Sequence, residues 1–390
     1  MNMATKTQTQ TKTQTQTQMG RGRRAWRRTY HAALMTLSFV ALLGMVVSSF
    51  GGHGHPTVYP GACVMVMLFP GWLLFLLLMI ILDALWCRKA LVVCGMAVAV
   101  CFHAILDFAP LHVCEPTAKE GSPTFTLLSF NVENFTSQSG EYPDGCNPAI
   151  SYILQADADV VCIQEAAPLV EKPMKNTVIA QSQIDSLYRR YPYIMMNGYT
   201  QMIMSKYPAE AVHTGTASKR SMIGVAHLTI EGVQVALVNV HLQCYSLTHS
   251  DKSLYQDLTS ANNDTIDLRS GMGLVRSRLL SKIQRAAERR AAEAERIVNY
   301  LHKFGGETAI VVGDFNDVPG CYTLHRLADA GMRQVYSEVA FGPAITYYVD
   351  RFYFRIDHVL YRGRLKPLSM RIGGSRASDH LPVLTTFAIE

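Results

Sequence analysis

The stretch Ala309-Ile-Val-Val-Gly-Asp-Phe-Asn-Asp-Val-Pro319 decides the reading of this chain. An apolar run rich in β-branched residues, closed by Gly313, Pro319 and Gly320, has the pattern of a short buried strand. It carries Asp314 and Asn316 to its end, and residues two apart in an extended chain point to one face. A carboxylate and an amide delivered together to a strand end suit chemistry better than core packing.

Four other blocks repeat the design of an apolar strand ending in a residue able to hold a metal or move a proton. Thr126-Leu-Leu-Ser-Phe-Asn-Val-Glu-Asn134 offers Asn131, and Ala158-Asp-Val-Val-Cys-Ile-Gln-Glu165 ends in Glu165. Val235-Ala-Leu-Val-Asn-Val-His-Leu242 carries His241. The last block is split, with Asp357 in Phe354–Leu360 and Asp379 and His380 in Ala377–Pro382.

In this order the blocks resemble the endonuclease/exonuclease/phosphatase superfamily, the group with the DNase I-like fold that also contains sphingomyelinases and inositol polyphosphate 5-phosphatases. The resemblance covers Thr124 to Glu390. It implies an α/β fold, a DNase I-like four-layer α/β sandwich, preceded here by an N-terminal helical transmembrane region. Strands alternating with helical stretches agree with such a sandwich.

Hydrolysis of a phosphate ester needs an activated water, a cation for the phosphoryl oxygens and support for the leaving oxygen. Mg²⁺ takes hard oxygen ligands and few protein carboxylates, which makes Glu165 the first choice of ligand. The resemblance implies Asn131 and Asp379 as the remaining metal ligands, with Mn²⁺ as the alternative ion. It implies that Asp314 orients or deprotonates water, while Asn316 holds the phosphate by hydrogen bonding. An amide cannot be a base but donates to an anion without adding charge. His241 and His380 are the implied donors around the phosphate, and Asp357 the partner that fixes the His380 tautomer. Ser205 in Met202–Pro208 is read as structural, and so is His358. Arg376 has two readings, a phosphate contact or a surface ion pair.

The chain also departs from the pattern. Abasic-site nucleases of the superfamily usually follow the first asparagine with a second asparagine and a glycine, whereas Asn131 is followed by Val-Glu-Asn. His358 replaces an aromatic residue often found after the matching aspartate. Both differences count against a DNA-repair role.

The hydrophobic share of 49% in 390 residues comes from the N-terminal side. His31–Phe50 has no acidic residue, Lys or Arg and is long enough to cross a bilayer. Val58–Ile81 is a second uncharged run broken by Pro70, and Leu91–Leu111 a third, carrying His103 and Asp107. Asp83, His103 and Asp107 lie toward segment ends, which suggests interfacial positions. Five arginines between Arg21 and Arg28 precede the first run, and Arg88 and Lys89 separate the second from the third. Positive clusters face the cytoplasm, so three crossings place the C-terminal part outside it. Two crossings after a cleaved signal peptide give the same side. The expected organisation is a disordered basic N-terminus at 1–29, three transmembrane helices at 30–112, a linker at 113–123 and the catalytic domain at 124–390. Residues Thr5–Gln18, which alternate Thr with Gln or Lys, are too polar to offset the entropy of ordering.

Residues 1–117 hold 9 of the 36 Lys and Arg and 3 of the 30 acidic residues, leaving 27 of each beyond. The catalytic part is therefore neutral overall and lacks the basic footprint of a nonspecific nucleic-acid binder. Nine cysteines contain no Cys-x-x-Cys pair, so no zinc or redox motif is indicated. Cys114 and Cys146 would lie where a disulfide persists. Val275–Lys303 has a helical apolar period, and its other face carries Arg285, Arg289, Arg290 and Arg296 beside Glu288, Glu293 and Glu295. That face reads as solvated and laced with i,i+4 pairs, with a headgroup patch as the alternative. The polar loop Cys244–Gly273 looks like a site for substrate-specific insertion.

The expectation is a membrane-anchored metal-dependent phosphoesterase at the inner membrane, facing the extracytoplasmic or periplasmic side. It would act on phosphodiesters such as nucleic acid, or on a lipid or small headgroup. Its partners are the bilayer and a phosphate-ester substrate, with no protein partner evident. A silent membrane-tethered binding module would have lost the acidic residues, which are all present.

Overall fold

In a computed structural model the chain is described except for residues 1–3, 138–139, 167–168, 170–177, 198–199, 213–221, 246–269, 305 and 350–351. The polar loop expected to host insertions therefore falls largely outside the described residues. The chain divides into two compact units, one of residues 1–49 and 68–102, the other of residues 50–67 and 103–390.

The first unit is helical. The first helix, Ala4–Phe50, runs on into a 3-10 turn at Gly51–His53 and includes the apolar span Trp26–His53, and Phe69–Trp86 forms a second; both are long and apolar enough to cross a membrane. Where disorder was expected at Thr5–Gln18, the structure continues the first helix; extending a nucleated helix is cheap per residue. The second helix starts at Phe69, not Val58, because Pro70 is tolerated only in a first turn. The third run bends by 68° between Leu91–Val100 and Phe102–Phe108. Asp83, near the end of the second helix, is buried within the protein, with the Ser38 hydroxyl 2.6 Å from its carboxylate and the Cys94 thiol at 3.4 Å.

The second unit contains two six-stranded sheets. Strands β1 (Thr124–Asn131), β2 (Val160–Gln164), β3 (Tyr193–Asn197), β4 (Gln201–Ser205), β11 (Leu365–Ile372) and β12 (Val383–Ile389) form the first, ordered β11-β12-β1-β2-β4-β3. Strands β5 (Ala209–Val212), β6 (Met222–Ile230), β7 (Val233–His241), β8 (Ala309–Asp314), β9 (Arg333–Gln334) and β10 (Asp357–Arg362) form the second, ordered β5-β6-β7-β8-β10-β9. Only β1 with β2 and β7 with β8 run parallel; the remaining neighbours are antiparallel.

Side-chain alternation sorts each strand into two faces. Phe125, Leu127, Val160, Cys162, Val235, Leu237, Ile310, Val312, Val359 and Phe387 fill the space between the sheets. The opposite faces bind helices. Leu128, Phe130, Val161 and Ile163 pack under Ile150 and Ile153 of the Pro148–Ala156 helix. Val238, Val240 and Val311 pack under Ile297, Val298 and Leu301 of the Ser270–Phe304 helix, and under Leu324 and Leu327 of Tyr322–Asp329. Helix, sheet, sheet and helix make the four layers that the resemblance implied.

The inter-sheet stripes change character toward one end. Beyond the apolar layer lies a buried amide layer, where Gln164 donates to Asn239 at 2.7 Å and to Ser129 at 3.3 Å. Asn239 donates to the carbonyls of Ile163 and Met202, tying the two sheets together. Beyond the amides, the same alternation brings Asn131, His241, Asp314 and Asp357 to the end of the sandwich.

Cys114 and Cys146, where a disulfide was considered, are both free thiols. Ser205 is buried and donates to the carbonyl of Tyr207.

Candidate active site

Strand register sets the central row. His241 pairs with Asp314 across the parallel β7–β8 ladder, and Asp357 pairs with Asp314 across the antiparallel β8–β10 ladder. The approach of β7 to β8 needs glycine at 313, whose φ is +137° and where a Cβ would lie 2.1 Å from the Val240 carbonyl oxygen. Asp314 thus has a histidine strand on one side and an aspartate strand on the other.

Strand β8 ends at Asp314, so Asn316 does not reach the site by strand alternation, as an extended chain would have it. The backbone turns left-handed at Asn316, with φ of 51°. The Asp314 carboxylate accepts the Asn316 backbone N–H at 2.8 Å and its side-chain amide at 3.1 Å. This local aspartate turn competes with the extended conformation and wins. The two side chains still meet, and Asn316 also donates to the Leu242 carbonyl at 3.1 Å.

Glu165 follows β2, with φ of 59° and a side chain 27% exposed. One carboxylate oxygen accepts from the Asn131 amide at 3.2 Å and the other from the Asn134 amide at 3.0 Å. Asn131 also donates to Asp314 at 3.0 Å, while its oxygen accepts the Glu133 N–H. Glu133, Asn134 and Phe135 have positive φ in succession, so this wall of the site is a tight, strained turn. The sequence reading took only Asn131 from its block, because Asn134 lies beyond the strand in a left-handed turn that alternation does not reach.

His380 closes the opposite wall. Its Nδ1 lies 2.8 Å from the Asp357 carboxylate and its Nε2 lies 3.6 Å from Asp314. The ring packs edge-on to Tyr347 at 5.1 Å. The neighbouring Ser378 hydroxyl donates to the Asn131 carbonyl, joining the Ala377–His380 turn to the end of β1. His241 Nε2 sits 3.6 Å from Glu165 and 3.7 Å from Asp314. The structure therefore brings together Asn131, Glu165, His241, Asp314, Asn316, Asp357 and His380. Asp379 interacts electrostatically with Glu165 and Asp314 as well as with His380.

Burial raises the Asp314 carboxyl above its ordinary range, His380 pulls it down, and Asp357 adds to the rise. Burial and Glu165 raise Asp379, against His380. Burial alone would lower His380, but Asp357, Asp314 and Asp379 carry it well above the ordinary imidazole value. His380 is therefore a cation in the neutral range. Asp314, Asp357 and His380 bring ligand atoms within 4.8 Å of one another, yet Asp357 and His380 already occupy each other and an imidazolium binds no metal. The oxygen-rich side, with Glu165 and Asp379, has the hard donors a divalent cation takes, and their mutual repulsion is what such an ion relieves.

Arg290 corrects the solvated reading of its helix face. It is fully buried, with Nε 3.0 Å from Asp317 and Nη1 donating to the Gln243 carbonyl at 2.9 Å, over the Tyr245 ring. Glu293, also buried, accepts the Gln243 N–H at 2.9 Å. Ala286, Ala287, Ala291 and Ala294 leave room for this pair on the inward face. The two residues fasten the exit of β7 to the turn after Asp314. Asp317 also presents its carbonyl to the His358 ring at 2.9 Å. Burial and Arg355 push that histidine down to about 3, which keeps it neutral and structural. Arg376 lies over the Tyr348 ring at 5.7 Å.

A family model for the endonuclease/exonuclease/phosphatase family matches residues 128–380, and the chain belongs to that family. Its members hydrolyse phosphate ester bonds and are generally dependent on a divalent metal. No curated protein matches the chain. Similar solved structures include a humanized D. rerio TDP2, at 16% identity over 68% of this chain and 98% of that one, with a TM-score of 0.42. The human Nocturnin catalytic domain with bound sulfate shares 15% identity over 69% and 94%, with a TM-score of 0.46. ANGEL2, a 2',3'-cyclic phosphatase in complex with adenosine-2',3'-vanadate, shares 14% over 71% and 99%, with a TM-score of 0.43.

Proposed function

We propose that the chain is a membrane-anchored, divalent-metal-dependent phosphoesterase whose catalytic unit faces the extracytoplasmic side. The observation that carries the catalytic part is the convergence of Glu165, Asp314 and His380 at one end of the sandwich, each held by its own amide or carboxylate partner. A silent binding module has no need of three ionisable groups held in register.

Asp314 is the base. It takes the proton of a water as that water's oxygen bonds to phosphorus and the bond to the leaving oxygen breaks. Asn316 and Asn131 hold the carboxylate in place through its second oxygen. His380, charged and fixed by Asp357, donates a hydrogen bond to a phosphoryl oxygen, and His241 supplies a donor from the other side. Glu165, with Asp379 and the oxygen of Asn131, is the proposed holder of Mg²⁺ or Mn²⁺. When bound, the ion neutralises charge on the phosphoryl oxygens.

Chain connectivity supports the membrane sidedness in this reading. Residues 50–67 belong to the catalytic unit, and so does the chain from residue 103 onward. If Phe69–Trp86 takes the chain across a membrane, the bent Leu91–Phe108 segment must bring it back. Three crossings follow, and the arginines at Arg21–Arg28 assign the N-terminus to the cytoplasm.

The test is hydrolysis of bis(p-nitrophenyl) phosphate and p-nitrophenyl phosphate by the full chain in detergent, with Mg²⁺ or with EDTA. Turnover with Mg²⁺ that EDTA abolishes is expected; equal turnover in EDTA, or none in either, would overturn the reading.

A further inference from the structure

The link between the first two apolar helices is built into the catalytic unit. Gly52 is buried against the backbone at Gly320, where any side chain would collide with the Gly320 carbonyl. The His53 and His325 rings lie 3.8 Å apart, and the Gln284 amide accepts from Gly61 and donates to the Pro56 carbonyl. Val66 and Met67 pack with Val318, Ile356, Tyr347 and Phe354. Met67 is two residues from Phe69, where the second apolar helix begins, a separation of about 7 Å at most.

A second entry point lies beside the same rim. The third apolar segment ends at Phe108, and three residues later Leu111 pairs with Phe341 in an antiparallel bridge. Gly342 donates to the Pro110 carbonyl at 2.7 Å and His112 to the Ala340 carbonyl at 3.1 Å. Leu111 and Phe341 are nonetheless 65% and 66% exposed. Ile345 and Tyr353 are exposed on the same segment.

The described residues of that stretch, 341–349 and 352–354, also reach the active site through Tyr347 and Tyr348. Tyr347 packs on the His380 ring, Tyr348 donates its hydroxyl to the Ser378 carbonyl, and the Tyr348 N–H faces the Asp379 carbonyl. One short stretch is thus fastened at both ends within a few residues of apolar helices, exposes apolar side chains and touches catalytic residues. Exposed apolar groups rimmed by polar ones mark interaction surfaces, and aromatic side chains favour the headgroup level of a bilayer.

We propose that residues 341–349 and 352–354 form a membrane-contacting rim, and that the active site takes its phosphate ester from a lipid headgroup in the leaflet beneath it. The inference rests on the phosphoesterase reading and names its substrate class. Phosphate and hydrolytic residues are supplied as already described; the rim adds only presentation. Sharing one vesicle raises the local concentration of lipid substrate, whereas a nucleic acid has no such advantage.

The experiment reconstitutes the full chain into phosphatidylcholine vesicles carrying phosphatidic acid, phosphatidylglycerol and cardiolipin, with Mg²⁺. Bis(p-nitrophenyl) phosphate and a single-stranded oligonucleotide are offered outside the vesicles. Headgroup release from lipid in the enzyme's own vesicles, roughly a hundredfold faster than from added enzyme-free vesicles, is expected. Phe341→Asp should lower the ratio of lipid turnover to bis(p-nitrophenyl) phosphate turnover about tenfold, which is the loss of an insertion worth one decade in rate. Hydrolysis of the soluble ester without lipid turnover, faster cleavage of the oligonucleotide, or an unchanged ratio in Phe341→Asp would overturn the substrate assignment alone. Failure to hydrolyse even the soluble ester would overturn the phosphoesterase reading and this inference with it.

Discussion

The Asp357 carboxylate lies 2.8 Å from His380 Nδ1, and the other nitrogen of the same ring points at Asp314 across 3.6 Å. The pair fixes both the tautomer and the charge of the imidazole, because a carboxylate beside one nitrogen favours a proton on each. Everything proposed for the phosphoryl oxygen depends on that charge.

Asp357→Asn therefore removes a charge but keeps the shape. The folded-state value of His380 lies well above the ordinary imidazole value, so its cation survives until pH rises through that raised value. Without the Asp357 charge the raised value falls, and activity on the alkaline side is lost at lower pH. A drop in kcat/KM of about 10²–10⁴ is expected, with the alkaline limb of the pH profile moved down. A profile with an unmoved alkaline limb would contradict the assignment.

Arg290 and Asp317 form a buried pair behind the turn that follows Asp314. Arg290→Ala removes the countercharge of the buried Asp317, whose carboxylate keeps the Val318 N–H, and breaking such a pair costs about 3–5 kcal/mol. Denaturant unfolding of the full chain in detergent should show a loss of that order, with Arg290→Lys intermediate. Stability equal to the parent would mean that the pair is not shielded from water.

His358 gives a separate pH dependence of stability. Its folded value, about 3, is below the ordinary 6.5, so the unfolded state binds a proton that the folded state refuses. The stability tied to this ring is complete above pH 6.5 and is lost as pH falls from there toward 3. His358→Gln retains a donor for the Asp317 carbonyl and should flatten the acid side of the stability profile in that window. The same steepness in the variant would assign the acid limb to other groups.

Much of the site was legible because it obeys a period of two. Strands β1, β7, β8 and β10 each announce a core stripe, and the residue continuing that stripe past the core is Asn131, His241, Asp314 or Asp357. What escaped depends on turns and on distant packing. Asn134 works from a left-handed turn, and Asn316 reaches Asp314 by a local aspartate turn where alternation suggested an extended chain. Arg290 sits among charged neighbours on a helix, and only Asp317, 27 positions later, explains its burial. The docking of residues 50–67 leaves no local mark in the sequence at all. A fragment starting after the Glu115–Pro123 linker would lack that docked stretch, so each measurement uses the whole chain.

The central claim is that Asp314 serves as the base of a metal-dependent phosphoesterase. Asp314→Asn is the most direct test, since alanine would take from the Asn316 backbone N–H the acceptor it has in Asp314, at a cost of about 1–3 kcal/mol. Bis(p-nitrophenyl) phosphate turnover at saturating Mg²⁺ is measured for parent and variant, alongside their unfolding curves. The account predicts a loss of about 10²–10⁴ in kcat with the fold retained. Retention of parental kcat in a folded Asp314→Asn protein would contradict it.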